Sequence, residues 1–261
     1  MTIYSHSRLC TFEQCPFKFK LRYIDKFPPE IEKTIEAYLG EKVHEALEWL
    51  YIQITNKNTA AIPLIEDLIE YYAIAWKKDF SEEIKKVHNH FTYEYYFDKG
   101  IKLLIDYYTK NYPFSDNTIA IEKLITLDLD GTGKYLLQGY ADRIVHDKEK
   151  NIFEIHDYKT GQIKNQEDLD KDRQLALYSI GIKNIFEDAK DMDVSNIHLI
   201  WHFLDFNEKK QSKRTNEQLE QLKSEIIKLI NKIESTKEYP ANPGMLCRWC
   251  EFRKYCPDKV I

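Results

Sequence analysis

Gly139-Tyr140-Ala141-Asp142-Arg143-Ile144, followed a dozen residues later by Ile155-His156-Asp157-Tyr158-Lys159-Thr160-Gly161, is the stretch whose reading decides the fold. Both halves are short, rich in β-branched and aromatic residues, and bounded by turn signals, which marks them as strands. On an extended strand, residues two apart share a face, so Asp157 and Lys159 project together while Tyr158 points the other way. A carboxylate and an ammonium side by side at a strand end, running into a Thr-Gly turn, make a poor structural device and a good hydrolytic one. Asp-x-Lys by itself is usually a surface ion pair, and only the residues around it raise it above that.

The texture on either side completes an α/β order. From about Ser7 to Phe114 the apolar residues recur at intervals of three and four, as in Ile35, Leu39, Val43, Ala46, Leu47 and Leu50, or Ile101, Leu104, Ile105 and Tyr108, which predicts helices. Short β-like runs follow at Ile119–Leu129, Leu136–Val145 and Ile152–Tyr158, separated by Asp130-Gly131-Thr132-Gly133 and Asp147-Lys148-Glu149-Lys150. A helix over about Leu169–Glu187, an apolar strand over Ile197–Phe206 and a helix over about Asn216–Ser235 come next. Pro240, Pro243 and Gly244 then lead into a cysteine-rich tail. With no internal repeat, the reading is one composite domain over 1–261: a mainly helical part (1–117), an α/β core (118–240) and a cysteine tail (241–261).

Composition narrows the class. A chain of 261 residues with 43% hydrophobic and 31% charged residues, but only 8 Gly and 8 Pro, has room for a large core and little for disordered linkers. Its formal net charge of -5 is not that of a typical nucleic-acid binder. Acidic residues concentrated at a metal site would mask local basic patches, such as Lys18, Lys20 and Arg22 or Lys209, Lys210, Lys213 and Arg214. No apolar run reaches the length of a membrane span and no secretory signal is read at the N-terminus, so a cytoplasmic location is expected. Five cysteines, three of them within ten residues, suit a metal site in a reducing compartment better than a disulfide framework.

Hydrolysis of a phosphodiester needs a cation to activate water and neutralise charge on the phosphate, and Mg2+ or Mn2+ is held by a few carboxylates plus water. Asp142 and Asp157 supply such carboxylates. Lys159 is placed to orient or deprotonate the water, or to offset the developing charge. The pattern Gly-x-x-Asp-Arg-Ile, then apolar-x-Asp-x-Lys-Thr-Gly, resembles motifs II and III of the RecB-like branch of the PD-(D/E)XK nuclease superfamily. Gly40-Glu41-Lys42-Val43-His44 is similar to that branch's Gly-x-x-x-His helix, and Gln174-Leu175-Ala176-Leu177-Tyr178 to its Gln-x-x-x-Tyr motif.

The tail Cys247-Arg248-Trp249-Cys250-Glu251-Phe252-Arg253-Lys254-Tyr255-Cys256 has the form C-x2-C-x5-C, one ligand short of a four-thiolate site, and spacing alone allows zinc or a cluster. Together with Cys15-Pro16-Phe17-Lys18-Phe19-Lys20 it resembles the iron-sulfur subgroup of these nucleases, which includes the AddB nuclease domain and the CRISPR-associated RecB-like exonucleases. The resemblance runs from Ser7 to Pro257, with a weaker stretch from about Ile52 to Asn117.

The resemblance implies a restriction-endonuclease-like mixed sheet with flanking helices, and a metal-dependent deoxyribonuclease acting on single strands or DNA ends. It implies His44, Asp142, Asp157 and the carbonyl of Tyr158 as metal ligands for Mn2+ or Mg2+, with Lys159 as the catalytic lysine, Gln174 and Tyr178 in support, and Glu122 as an accessory carboxylate. It further implies that Cys15, which precedes Pro as in the family pattern, rather than Cys10, joins Cys247, Cys250 and Cys256 around a structural 4Fe-4S cluster that clasps the tail to the N-terminus. DNA is the implied partner, with a helicase or CRISPR adaptation proteins as companions; the chain shows no phosphate loop, so processive unwinding would require a partner helicase. The rival readings are a non-catalytic DNA-binding scaffold of the same fold and a zinc-clasped nuclease acting on RNA.

Overall fold

The computed structural model describes residues 2–31, 33–56, 61–81, 84–86 and 90–258; the last three residues of the tail lie outside it. Helices α1 (His6–Gln14), α2 (Pro16–Phe19), α3 (Ile35–Thr55), α4 (Ile65–Asp79) and α5 (Tyr93–Asn111) precede strands β1 (Thr118–Asp128), β2 (Leu136–Asp147) and β3 (Ile152–Lys159). Then come α6 (Gln166–Asp170), α7 (Gln174–Ile185), β4 (Ile197–Phe203), β5 (Glu208–Ser212) and α8 (Asn216–Ser235). The five strands form one mixed sheet in the order β1-β2-β3-β4-β5. Pairing is antiparallel except between β3 and β4, which run parallel across the crossover through α6 and α7. This is the α/β architecture that the sequence predicts.

Helix α3 forms for reasons visible in its sequence. Thr34 caps its N-terminus by accepting from Ala37 N at 3.3 Å, and Glu36 sits in the first turn, where the helix dipole favours an acid. Ile35, Leu39, Val43, Ala46, Leu47 and Leu50 form a continuous buried stripe, packed with α4, α5 and Tyr158 of β3 into one apolar cluster. A second cluster lies between the sheet and α7, and a third joins α1, the outer ends of β1 and β2, and α8. Among the described residues, no helix is long and apolar enough to cross a membrane.

Two elements depart from the sequence reading. The helix expected over about Leu169–Glu187 is broken at residues 171–173, and the buried guanidinium of Arg214 explains how: it donates to the carbonyls of Leu169 and Asp172, both at 2.8 Å, closing the end of α6. Strand β5 was not expected. Its sequence, Glu-Lys-Lys-Gln-Ser, carries no apolar alternation, because it is an edge strand held by its ladder to β4. The basic runs are largely engaged within the molecule: Lys18 and Arg22 pair with Glu251, Lys209 with Glu154, and Lys210 donates to the Lys164 carbonyl.

The sheet and α7 approach closely at Gly181, where an added Cβ would stand 2.1 Å from Cγ2 of the buried Ile125. Gly181→Ala is therefore expected to push α7 off β1 and destabilise the protein by about 1–3 kcal/mol. Urea denaturation midpoints of the two proteins measure this, and an unchanged midpoint would show that the sheet gives way without cost.

Candidate active site

Pairing between β2 and β3 runs from Asp147–Ile152 to Arg143–His156 and stops there. One residue further on, the strands fork. Asp142 fills the fork: its Oδ2 accepts the backbone N–H of Tyr158 at 2.8 Å, replacing a ladder bond with a side-chain bond. Helix α3 closes the fork from one side, and His44 Nε2 donates to the Tyr158 carbonyl at 2.7 Å while Nδ1 stands 3.4 Å from Asp142 Oδ2. Gly40, one turn before His44, lets the helix come this near, since a Cβ there would lie 3.0 Å from Thr160 Oγ1.

Glu122 enters from β1, directly across from Asp142 in register. Its φ of 44° is left-handed, a strained conformation for a residue with a long side chain, and it turns the strand at this point. His44, Glu122 and Asp142 each offer a ligand atom within 4.8 Å of the others. The cleft they share, about 480 Å³, is also lined by Glu41, Glu45 and Glu48, so every charged residue on its lining is a carboxylate. Gly40, His44 and Glu48 are spaced by four and form one stripe of α3 facing it. Glu48 was not singled out from the sequence, although its spacing from His44 was the available signal.

Asp157 lies deeper, 3% exposed, and its Oδ2 touches Lys159 Nζ at 2.6 Å. That ion pair is the partner Oδ2 has for its charge at this depth. Burial, followed by the charge of Asp142, raises the Asp157 pKa in spite of the ammonium. Burial works against the Lys159 charge too, but Asp157 and Asp142 outweigh it and hold the lysine above its ordinary value. Gln174 Nε2 reaches Asp157 Oδ1 at 3.4 Å from the start of α7. Tyr178, one turn on, is 8% exposed and packs where Gly139 has no side chain, so it braces the sheet from behind.

Behind the fork lies a buried polar network. Arg143, next to Asp142 in the chain, is 1% exposed; it donates to Tyr158 Oη (3.0 Å), Asp116 Oδ2 (2.6 Å), Thr118 Oγ1 (2.9 Å) and His156 Nδ1 (3.0 Å). Because His156 Nδ1 accepts from the guanidinium, His202 Nε2 donates to it at 2.8 Å, and His156 Nε2 donates to Glu154 at 3.0 Å. Burial, reinforced by Arg143, drives both imidazoles well below their usual pKa and keeps them neutral. Tyr51 stacks on the guanidinium at 4.1 Å. No motif in the sequence pointed to this network, since it joins residues from α3, the segment before β1 and the four strands β1 to β4.

The donor set of imidazole, carboxylates and a backbone carbonyl at the fork, with the ligand atoms of His44, Glu122 and Asp142 within 4.8 Å of one another, fits a hard divalent cation. The four cysteines form a second locus. Cys15, Cys247, Cys250 and Cys256 line one cavity of about 260 Å³. Backbone N–H groups of Lys18 and Asn242 both point to Cys15 Sγ at 3.4 Å, and that of Gly244 to Cys247 Sγ at 3.3 Å. Cys10 is elsewhere, its sulfur 3.3 Å from His6 Nε2 and 3.6 Å from Arg173.

A family model of the PD-(D/E)XK nuclease superfamily matches residues 3–257. The chain belongs to that superfamily. Among solved structures, it resembles a candidate exonuclease from Eubacterium rectale at 12% identity and a TM-score of 0.56, covering 99% of this chain and 89% of that one. It also resembles SSO0001, at 16% identity and a TM-score of 0.41, over 85% of this chain and 95% of that one. At these identities the first likeness speaks for the fold alone. No curated protein matches the sequence.

Burial, then the charges of Asp142 and Glu48, lift the Glu122 carboxyl to about 7. A divalent cation at the fork has to compete with that proton, so Mn2+ affinity should rise as pH climbs from the ordinary carboxylate range through about 7. Calorimetric titration at pH 6.5 in two buffers of different ionisation enthalpy should show proton release on binding. In Glu122→Gln that release should shrink and the affinity fall; identical proton release in both proteins would remove Glu122 from the site.

Proposed function

We propose that this member of the superfamily is a metal-dependent deoxyribonuclease, cutting single strands or DNA ends, with a structural 4Fe-4S cluster joining its N-terminal helices to its tail. What carries the reading is the convergence at one fork of His44, Glu122, Asp142 and the Asp157–Lys159 pair. His44, Asp142, Asp157 and the carbonyl of Tyr158 are the proposed ligands of Mn2+ or Mg2+, with Glu122 as a further carboxylate. When bound, such an ion supplies Lewis-acid activation of water and neutralises charge on the phosphate.

The chain's own groups do the rest. Asp142 fixes its position by taking the Tyr158 N–H, so the acid and the carbonyl are aligned by one bond. Asp157 holds the Lys159 ammonium beside the fork, where it can offset charge growing on a phosphate oxygen or orient the attacking water. Gln174 restrains Asp157 from the opposite side, and Tyr178 keeps α7 in register with β2. The acidic lining of the cleft repels a bare phosphodiester, so substrate entry depends on the cation.

For the cysteines, cluster and zinc predict different spacings. Four thiolates on one Zn2+ at about 2.3 Å stand roughly 3.8 Å apart. Among the described residues, the group gathered within 4.8 Å is His44, Glu122 and Asp142, whereas the four sulfurs are arranged around a cavity. N–H donors aimed at the sulfurs also suit a cluster, whose charge they offset. The role proposed for it is a clamp, and the helical part, the core and the tail act as one composite unit.

Two experiments test this. Lys159→Ala should fold, bind Mn2+ and DNA, and lose about a hundredfold or more in single-turnover cleavage of end-labelled single strands, while Asp157→Ala should weaken Mn2+ binding as well; cleavage by Lys159→Ala near the wild-type rate would reduce the pair to a surface ion pair. Cys15→Ser should lower bound iron and sulfide and the stability of the protein, whereas Cys10→Ser should do neither. Equal iron content in wild type and the Cys15 variant would overturn the clamp.

A further inference from the structure

Beyond the fork, the hairpin of β1 and β2 continues alone, and its two faces differ. Ile125, Leu127, Leu137 and Ala141 are buried, and Gly139 backs onto Tyr178 of α7. Alternation sends Leu124, Thr126, Gln138 and Tyr140 to the other face, and all four are exposed, Tyr140 by 55% and Leu124 by 42%. They form two adjacent cross-strand pairs, Leu124–Tyr140 and Thr126–Gln138. Tyr140 stands two residues before Asp142, and Leu124 two after Glu122, so the bare face begins where the metal site ends. About 7 Å, two residues of strand, separates them.

From this we infer that the outer face of the hairpin is a platform for the unpaired bases of the strand whose phosphate lies in the fork, with Tyr140 as the stacking residue. The inference rests on the nuclease reading. None of the four residues is charged, in a chain that is 31% charged. A nucleotide strand offers a flat uncharged face only through its bases; its phosphates belong at the cation end. An aromatic ring flanked by a Leu side chain, with an amide and a hydroxyl one pair further along, matches the flat face and polar edge of a base.

The size of the patch argues against a protein partner, because two side-chain pairs are far below the 20–30 residues a side of a stable protein interface. Addition of a strand is also closed at the β2 edge of the hairpin: the backbone of Tyr4 bonds Leu136 O at 2.9 Å and Gln138 N at 2.8 Å, occupying the edge that β3 leaves. Bases inside a duplex are already stacked on each other. The platform therefore selects single-stranded substrate, or a frayed end, at a point one nucleotide from the scissile bond.

The test uses the full chain carrying Lys159→Ala, so that DNA is bound without being cut, with Mg2+ present and a labelled oligodeoxythymidine as probe. Adding Tyr140→Ala should weaken binding about tenfold, the size of one lost base–ring stack, and Tyr140→Phe should restore it. A strand of the same length with abasic sites should bind equally well with and without Tyr140→Ala. Equal binding of oligodeoxythymidine with and without Tyr140→Ala, or an equal loss on the abasic strand, overturns the platform. Failure here is separable from failure of the nuclease reading: cleavage by the unsubstituted protein with a Tyr140-independent affinity sinks only the platform, whereas Tyr140-dependent binding without cleavage in Mn2+ supports the platform and sinks the nuclease.

Discussion

The bond from Tyr158 N–H to Asp142 Oδ2 is the constraint on which the rest of the site depends. It exists because β2 and β3 stop pairing two residues short of Tyr158, and a buried backbone N–H has to find an acceptor. A carboxylate supplies it. The same short stretch then gives its carbonyl to His44 and its hydroxyl to Arg143, so all the polar groups of Tyr158 are committed, two toward the cleft and one toward the interior. The residues on either side of it, Asp157 and Lys159, inherit their positions from that fixation.

The cost of this arrangement lies behind the sheet. A guanidinium that is 1% exposed needs compensation for the water it has lost, and one carboxylate, Asp116, is its only ionised partner in direct contact among the described residues. Three more of its donors bond neutral groups: a phenol, a threonine hydroxyl and an imidazole held in one tautomer by its neighbours. A charge so enclosed makes the network all-or-none, since each partner removed would leave another buried and unpaired. Rigidity at the fork is the return, and a cation site that must hold its ligands to a few tenths of an ångström benefits from it.

How much of this was legible in the sequence depends on the range of the signal. Strand alternation and motif spacing are local, and they located the strands of β1 to β4, the long helices, the pair Asp157 and Lys159, and the helical stripe that carries His44. Glu122 was named only as an accessory, because a left-handed residue inside a strand leaves no local trace: its neighbours Ile121 and Lys123 read as ordinary strand. The end of α6 was missed since the group that closes it, Arg214, is supplied from more than forty residues away. Arg143 was read only as part of a motif. Its partners come from 13, 15, 25 and 27 residues away in the chain, a separation over which periodicity says nothing.

The juncture at Cys15 has a further meaning in time. Asn242 donates to the Cys15 sulfur across 227 residues of sequence, and beside it Phe17 N–H takes the carbonyl of Pro240. During synthesis α1 and α2 emerge before these partners and wait for them through the making of the whole sheet. A chain that stops anywhere before Pro240 has a core it can begin to fold but no means of closing that seam. Closure thus marks that translation has passed Pro240 and Asn242, at a seam between segments made far apart in time.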